Sequence, residues 1–127
     1  MIFSFTEDVF CTGVTVIIKE SFDRVKKEIK KHDKNYTPED DVLEAVTFQF
    51  TDKKTCIIWF KNKPTIKTIV HECMHVTWHM MDVNGMNLSE ETQETYCYYI
   101  DYLVGKITGQ LKKFYIYPME QNESILT

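Results

Sequence analysis

PTIKTIVHECMHVTWHMMDVNG, residues 64–85, is the stretch on which the reading of the fold turns. Pro64 suits the first turn of a helix, because a first-turn residue needs no amide hydrogen. The helix is predicted to reach about Val83 and to stop at Asn84-Gly85, a pair suited to a C-terminal cap. Inside it, His71-Glu72-Cys73-Met74-His75 has the pattern H-E-x-x-H. Residues four apart on a helix share a face and lie about 6 Å apart along the axis. Two imidazoles at that spacing can converge on one Zn²⁺, each at about 2.0–2.1 Å. Glu72 is turned roughly 100° from His71, within reach of a coordinated water without ligating the metal. Zinc lowers the pKa of such a water towards about 7, so Glu72 is predicted to serve as general base. The neighbours Thr68, Ile69, Val70, Cys73, Met74, Val76 and Thr77 are uncharged, as a helix buried around a metal site requires.

Downstream, a short loop leads to Ser89, whose hydroxyl can cap a second long helix running to about Lys113. Gly105 and Gly109 weaken its far end. Glu90 and Glu91 fall in its first turn, where the helix dipole favours acids. Residues 1–117 are expected to form one domain. Pro118 begins a tail through Thr127 that is expected to be mobile.

Upstream, Ile2 to Phe5 and the β-branched run Gly13 to Ile18 read as strands. Ser21 is the predicted N-cap of a helix to about Lys31, with Phe22, Val25 and Ile29 on its apolar side. Strands are predicted over Leu43 to Phe50 and Thr55 to Phe60, joined across Thr51–Lys54 as a hairpin. In the first, Val46, Phe48 and Phe50 alternate with Thr47 and Gln49, one face buried and one wet. The second is apolar on both faces and belongs near the middle of the sheet. The expected architecture is α+β: a small antiparallel sheet with helices on one side, the H-E-x-x-H helix packed against the antiparallel helix that follows it.

A catalytic zinc site needs a third protein ligand and an open position for water. His79 continues the four-residue spacing, but it lies about 12 Å along the axis from His71, too far for a straight helix to close all three on one ion. Glu94 is better placed, since the turn at Asn84-Gly85 folds the next helix back and can bring its carboxylate opposite His75. Glu91 and Glu90 compete, although first-turn acids have a ready explanation in the helix dipole. Two His and one Glu is the ligand set of thermolysin-type peptidases.

From about Ile66 to Leu103 the chain resembles the gluzincin branch of zinc peptidases in a very small form. It looks more closely like the small metallopeptidase-like proteins of tailed phages and prophages. The resemblance rests on His71-Glu72-Cys73-Met74-His75, the glycine turn, and Glu94-Thr95-Tyr96-Cys97-Tyr98-Tyr99-Ile100-Asp101-Tyr102-Leu103, which follows the pattern E-x-x-x-Y-x-x-x-Y. It implies a zincin-like minimal domain with His71, His75 and Glu94 as zinc ligands and Glu72 as base. Tyr98, one turn beyond Glu94 on the same face, becomes a catalytic candidate able to donate to Glu94 or to a substrate oxyanion. Larger gluzincins carry Asp where this chain has Tyr98, so the support of a ligating histidine differs here.

Composition narrows the partners. A net charge of −4 gives no overall attraction to nucleic acid or anionic lipid. The basic residues Arg24, Lys26, Lys27, Lys30, Lys31 and Lys34 are interspersed with Asp23, Glu28 and Asp33, as on a solvated helix face. No apolar run reaches the roughly 20 residues of a membrane span. Residues 1–10 place Glu7 and Asp8 where a signal peptide is apolar. Cys11, Cys56, Cys73 and Cys97 contain no CxxC pair and read as reduced, buried thiols of a cytoplasmic protein, that of a bacterial host if the chain is phage-encoded. The predicted partner is a protein or peptide substrate, with neither nucleic acid nor membrane expected. The competing expectation is a non-catalytic protein whose zinc clamps two helices together, such as a phage structural or host-interaction module.

Overall fold

The computed structural model describes residues 1–39, 44–50 and 54–115. The predicted tail from Pro118, the predicted strand start at Leu43 and residues 51–53 of the hairpin connection lie outside the described residues. Seven elements follow in order: β1 (Ile2–Thr6), β2 (Gly13–Ile18), α1 (Phe22–Lys30), β3 (Ala45–Gln49), β4 (Thr55–Phe60), α2 (Ile66–Val83) and α3 (Gln93–Leu111). The fold is α+β, with an open four-stranded sheet in the order β1-β2-β4-β3.

The sheet is mixed, which corrects the antiparallel expectation. β1 pairs antiparallel with β2, and β3 with β4, but β2 and β4 lie parallel in the centre, Gly13 opposite Thr55 and Ile18 opposite Phe60. A central parallel pair is buried on both faces. Both faces are accordingly covered, which also corrects the expectation of helices on one side only. Val14, Val16 and Ile18 with Cys56, Ile58 and Phe60 share one core with Ile69, Cys73, Val76 and Met80 of α2 and Leu103, Ile107 and Leu111 of α3. Ile17, Ile57, Trp59, Phe48 and Phe50 form the other core with Val25 and Ile29 of α1. Each fully buried aliphatic side chain contributes about 1.5–3 kcal/mol relative to exposure.

The helix ends show which local signals operate. Ser21 caps α1 as predicted, its hydroxyl accepting from the Arg24 amide. Thr65, not Pro64, opens α2, its hydroxyl accepting from the Thr68 amide at 3.2 Å. Gly85 follows the end of α2 with φ of +71°, a conformation that favours glycine. Ser89 does not start the next helix. It exchanges hydrogen bonds with Thr92, whose hydroxyl also donates to the Asn87 carbonyl at 2.6 Å, so a turn is closed first and α3 begins only at Gln93.

Helix directions follow from contacts with the sheet. Along α2, Glu72 meets Thr47 and His75 meets Gln49, so α2 runs parallel to β3 and antiparallel to β4. α3 starts beside the β1–β2 loop, where the Tyr99 hydroxyl donates to Thr12 Oγ1 at 3.4 Å. The chain ends its described course with Tyr115 beneath the ammonium groups of Lys19 and Lys63. α3 therefore runs with β2 and antiparallel to α2. Among the described residues no helix is long and apolar enough to cross a membrane. The basic residues of α1 are partly paired with acids, Lys26 with Asp23 and both Arg24 and Lys31 with Glu28.

The thiols divide into two classes rather than one. Cys56 and Cys73 are buried, and burial pushes each thiol up to about 12, with the Glu72 carboxylate adding to the effect at Cys73. Cys11 and Cys97 are exposed, and all four are free.

Candidate metal centre

α2 buries one face in the core and leaves an exposed strip that carries His71 and His75 but not His79. Ile69, Cys73, Val76 and Met80, spaced three or four apart, point into the sheet. That periodicity turns His71 and His75 outward, where both are exposed, and leaves Glu72 on the border, only 4 % exposed. The two imidazoles stand edge to face with ring centres 5.0 Å apart. His71 Nε2 lies 3.9 Å from Glu72 Oε2. One ligand atom from each of His71, Glu72 and His75 falls within 4.8 Å of the other two. Ligands at about 2.1 Å around a tetrahedral ion are separated by about 3.4 Å, a spacing that rotation of the two exposed imidazoles can reach with Glu72 beside them. Two imidazole donors, with a carboxylate next to them, suit a borderline-soft divalent ion such as Zn²⁺.

β3 backs this cluster. Thr47 Oγ1 donates to Glu72 Oε1 at 2.9 Å, and Gln49 Nε2 donates to the His75 carbonyl at 3.1 Å. Alternation in the sequence correctly placed Thr47 and Gln49 opposite Phe48, but their face meets α2 rather than open water. A polar pair on a strand beside a wholly apolar strand was the available signal for such a contact. Beside the cluster, Glu44, Ala45, Thr65, Lys67, Thr68, His71 and Glu72 line an open groove of about 590 Å³.

The structure does not bring Glu94 or Tyr98 into this group. The buried face of α3 is Tyr96, Tyr99, Leu103, Ile107 and Leu111, and residues two positions from Tyr96 on either side face the other way. Glu94 is exposed, and Tyr98 is 70 % exposed in a separate hollow with Asp101, Tyr102, Gly105 and Lys106. Tyr96 shares a hollow with Trp78 and Asp82 and donates its hydroxyl to the Met86 carbonyl at 2.6 Å. In an antiparallel pair the Glu94 level therefore lies beyond Trp78, towards the end of α2, and not beside His75. The later start of α3 has a part in this. Glu90 and Glu91 are in the turn before α3, exposed and outside the cluster. Replacing Glu94 by Ala is accordingly expected to leave zinc affinity within about threefold of wild type, since distant sites act independently. Calorimetric titration checks this. A loss as large as that of His75→Ala would show that the first turn of α3 closes on the imidazoles when metal binds.

His79 also stands apart from the cluster. It is buried, with its Nε2 lacking a hydrogen-bond partner among the described residues. Cys73 faces the core and Cys97 faces solvent, so neither thiol joins the site. Comparison of the chain with protein-family models, with curated proteins and with solved structures finds no match.

Proposed function

We propose that this protein is a zinc-dependent hydrolase of peptide bonds, with His71 and His75 holding the metal and Glu72 as general base. The observation that carries the reading is the convergence of His71, Glu72 and His75 within 4.8 Å on one helix, with a groove open beside them. A zinc ion held there supplies Lewis acidity, acidifying a water and polarising a carbonyl. The chain's own residues divide the remaining work. His71 and His75 project from a helix fixed by its core face, so their spacing is held by packing. Glu72 presents Oε2 towards His71, where it can take the proton of the attacking water and hand it to the departing amine nitrogen. β3 is an outer strand of the described sheet, and the groove begins at Ala45. An extended substrate segment added beside that strand runs past Glu72. Glu94 and Tyr98 enter none of these steps, and among the described residues the only carboxylate clustered with His71 and His75 is that of Glu72.

The competing reading, a non-catalytic module in which zinc clamps two helices together, draws less support from this geometry. All three clustered groups belong to α2, and both faces of the sheet are filled by apolar side chains without any metal. A single-helix site contributes little to holding two helices together.

The test is cleavage of an unfolded protein substrate by zinc-loaded protein, with and without chelator, alongside calorimetric zinc titration. Zinc-dependent cleavage is expected in wild type. His75→Ala is expected to weaken zinc binding by more than about 100-fold, since losing even an outer partner of a ligand costs 10–100-fold. One zinc bound with no cleavage of any unfolded substrate removes the hydrolase reading and leaves only a metal site.

A further inference from the structure

We infer that Thr47, on the outer strand β3, is a positioning residue that sets the orientation of the Glu72 carboxylate; this rests on the hydrolase reading above. A glutamate side chain has three rotatable bonds, and one at the border of a helix can turn its carboxylate along the groove or back towards the strand. Here one oxygen is tied. Thr47 Oγ1 lies 2.9 Å from Glu72 Oε1 and 3.4 Å from the Glu72 carbonyl, so its single proton goes to the nearer carboxylate oxygen. The other oxygen, Oε2, is then directed towards His71 Nε2 at 3.9 Å. The two oxygens have different tasks: Oε1 anchors and Oε2 works.

The anchor itself is fixed. Thr47 pairs with Ile58 of β4, a fully buried core residue, so the hydroxyl is registered to the centre of the sheet. Gln49, on the same face of β3, holds the backbone of His75 one helical turn further along. β3 thus touches α2 beneath the base and beneath a metal ligand, and the sheet fixes the distance between them. The Thr47 hydroxyl bonds to Glu72 and to neither imidazole, so its effect is on the geometry of proton transfer and not on holding the ion.

Thr47→Val removes the hydroxyl and keeps the shape; Thr47→Ser keeps the hydroxyl. For each variant, kcat and KM on an unfolded protein substrate, the zinc Kd and the melting temperature of metal-free protein are measured. Thr47→Val is expected to lower kcat by about 10- to 100-fold, the usual effect of misplacing a catalytic group by about 1 Å, with KM and zinc Kd within about threefold. Thr47→Ser is expected to return kcat to within about threefold of wild type. If Thr47→Val does not fold, Thr47→Ala, which leaves room for a water beside the carboxylate, carries the same expectation. Unchanged kcat in the hydroxyl-free variant overturns the inference. So does a loss that Ser does not recover, or one explained by an equal loss of zinc affinity. Wild type that binds zinc and cleaves nothing overturns the hydrolase reading instead.

Discussion

On the proposed hydrolase reading, Glu72→Gln is expected to retain zinc binding and to lose peptide hydrolysis by about 10²–10⁴-fold, the range that a positioned general base supplies. The substitution is nearly isosteric, and an amide oxygen can still accept the hydroxyl proton of Thr47, so the anchor to β3 survives. What disappears is a basic oxygen facing His71. The buried setting of Glu72 makes the experiment clean, because a side chain only 6 % exposed has few alternative positions. Zinc affinity within about tenfold of wild type, with cleavage lost, identifies Glu72 as base rather than ligand. If zinc affinity instead falls as far as in His75→Ala, the carboxylate is a ligand and the proton must be taken by another group. Full retention of cleavage removes Glu72 from the chemistry.

The second large effect is expected far from the metal centre. Glu7 is wholly buried at the β1–β2 connection and accepts from three backbone amides: Val9 at 2.7 Å, Phe10 at 3.0 and 3.1 Å, and Thr12 at 2.7 Å. Glu7→Ala strips these donors of their acceptor. Val9 is exposed and turns to water, but the Thr12 amide is in a residue with no exposure. An unsatisfied buried amide costs about 1–3 kcal/mol, and the charged acceptor makes each bond stronger than a neutral one, so a total of about 3–4 kcal/mol is expected. Glu7→Gln is expected to recover roughly half of this, because its carbonyl can serve Phe10 and Thr12 while its amide nitrogen faces the adaptable Val9. Urea unfolding measures both. A loss below about 1 kcal/mol for Glu7→Ala would show that the loop reorganises around other acceptors. The same loop seats α3 through Thr12 and Phe10, which meets the Tyr99 ring at 5.7 Å, so the damage extends into the larger core.

Much of this was written locally in the chain. Thr55–Phe60 was recognisable as an inner strand because it is apolar on both faces, and Ser21 and Asn84-Gly85 mark the ends of α1 and α2 through their own side chains and backbone. Pairing was not legible in the same way. Gly13–Ile18 is also a nearly continuous apolar run, and two such strands separated by a helix point to a buried parallel pair, which requires cover on both faces. Each is one half of a hairpin, and nothing local to either shows that the two also pair with each other. At the candidate site, His71, Glu72 and His75 follow from helical spacing alone. Thr47 and Gln49 do not, because alternation tells which residues share a face and not what lies against it. The placement of Glu94 depended on where α3 starts, and Ser89 and Thr92 compete for that role through mutual hydrogen bonds.

The parallel pairing of β2 with β4 has a consequence for how the chain reaches this shape. Two hairpins, β1–β2 and β3–β4, can each zip from a short connection, but the sheet has no middle until they meet across α1 and the segment that follows it. Closing that long stretch costs entropy before any contact in the centre rewards it. Any state in which that pairing is unmade leaves Val14, Val16, Ile57 and Ile58 on unpaired strand edges, the kind of surface through which chains stick to one another.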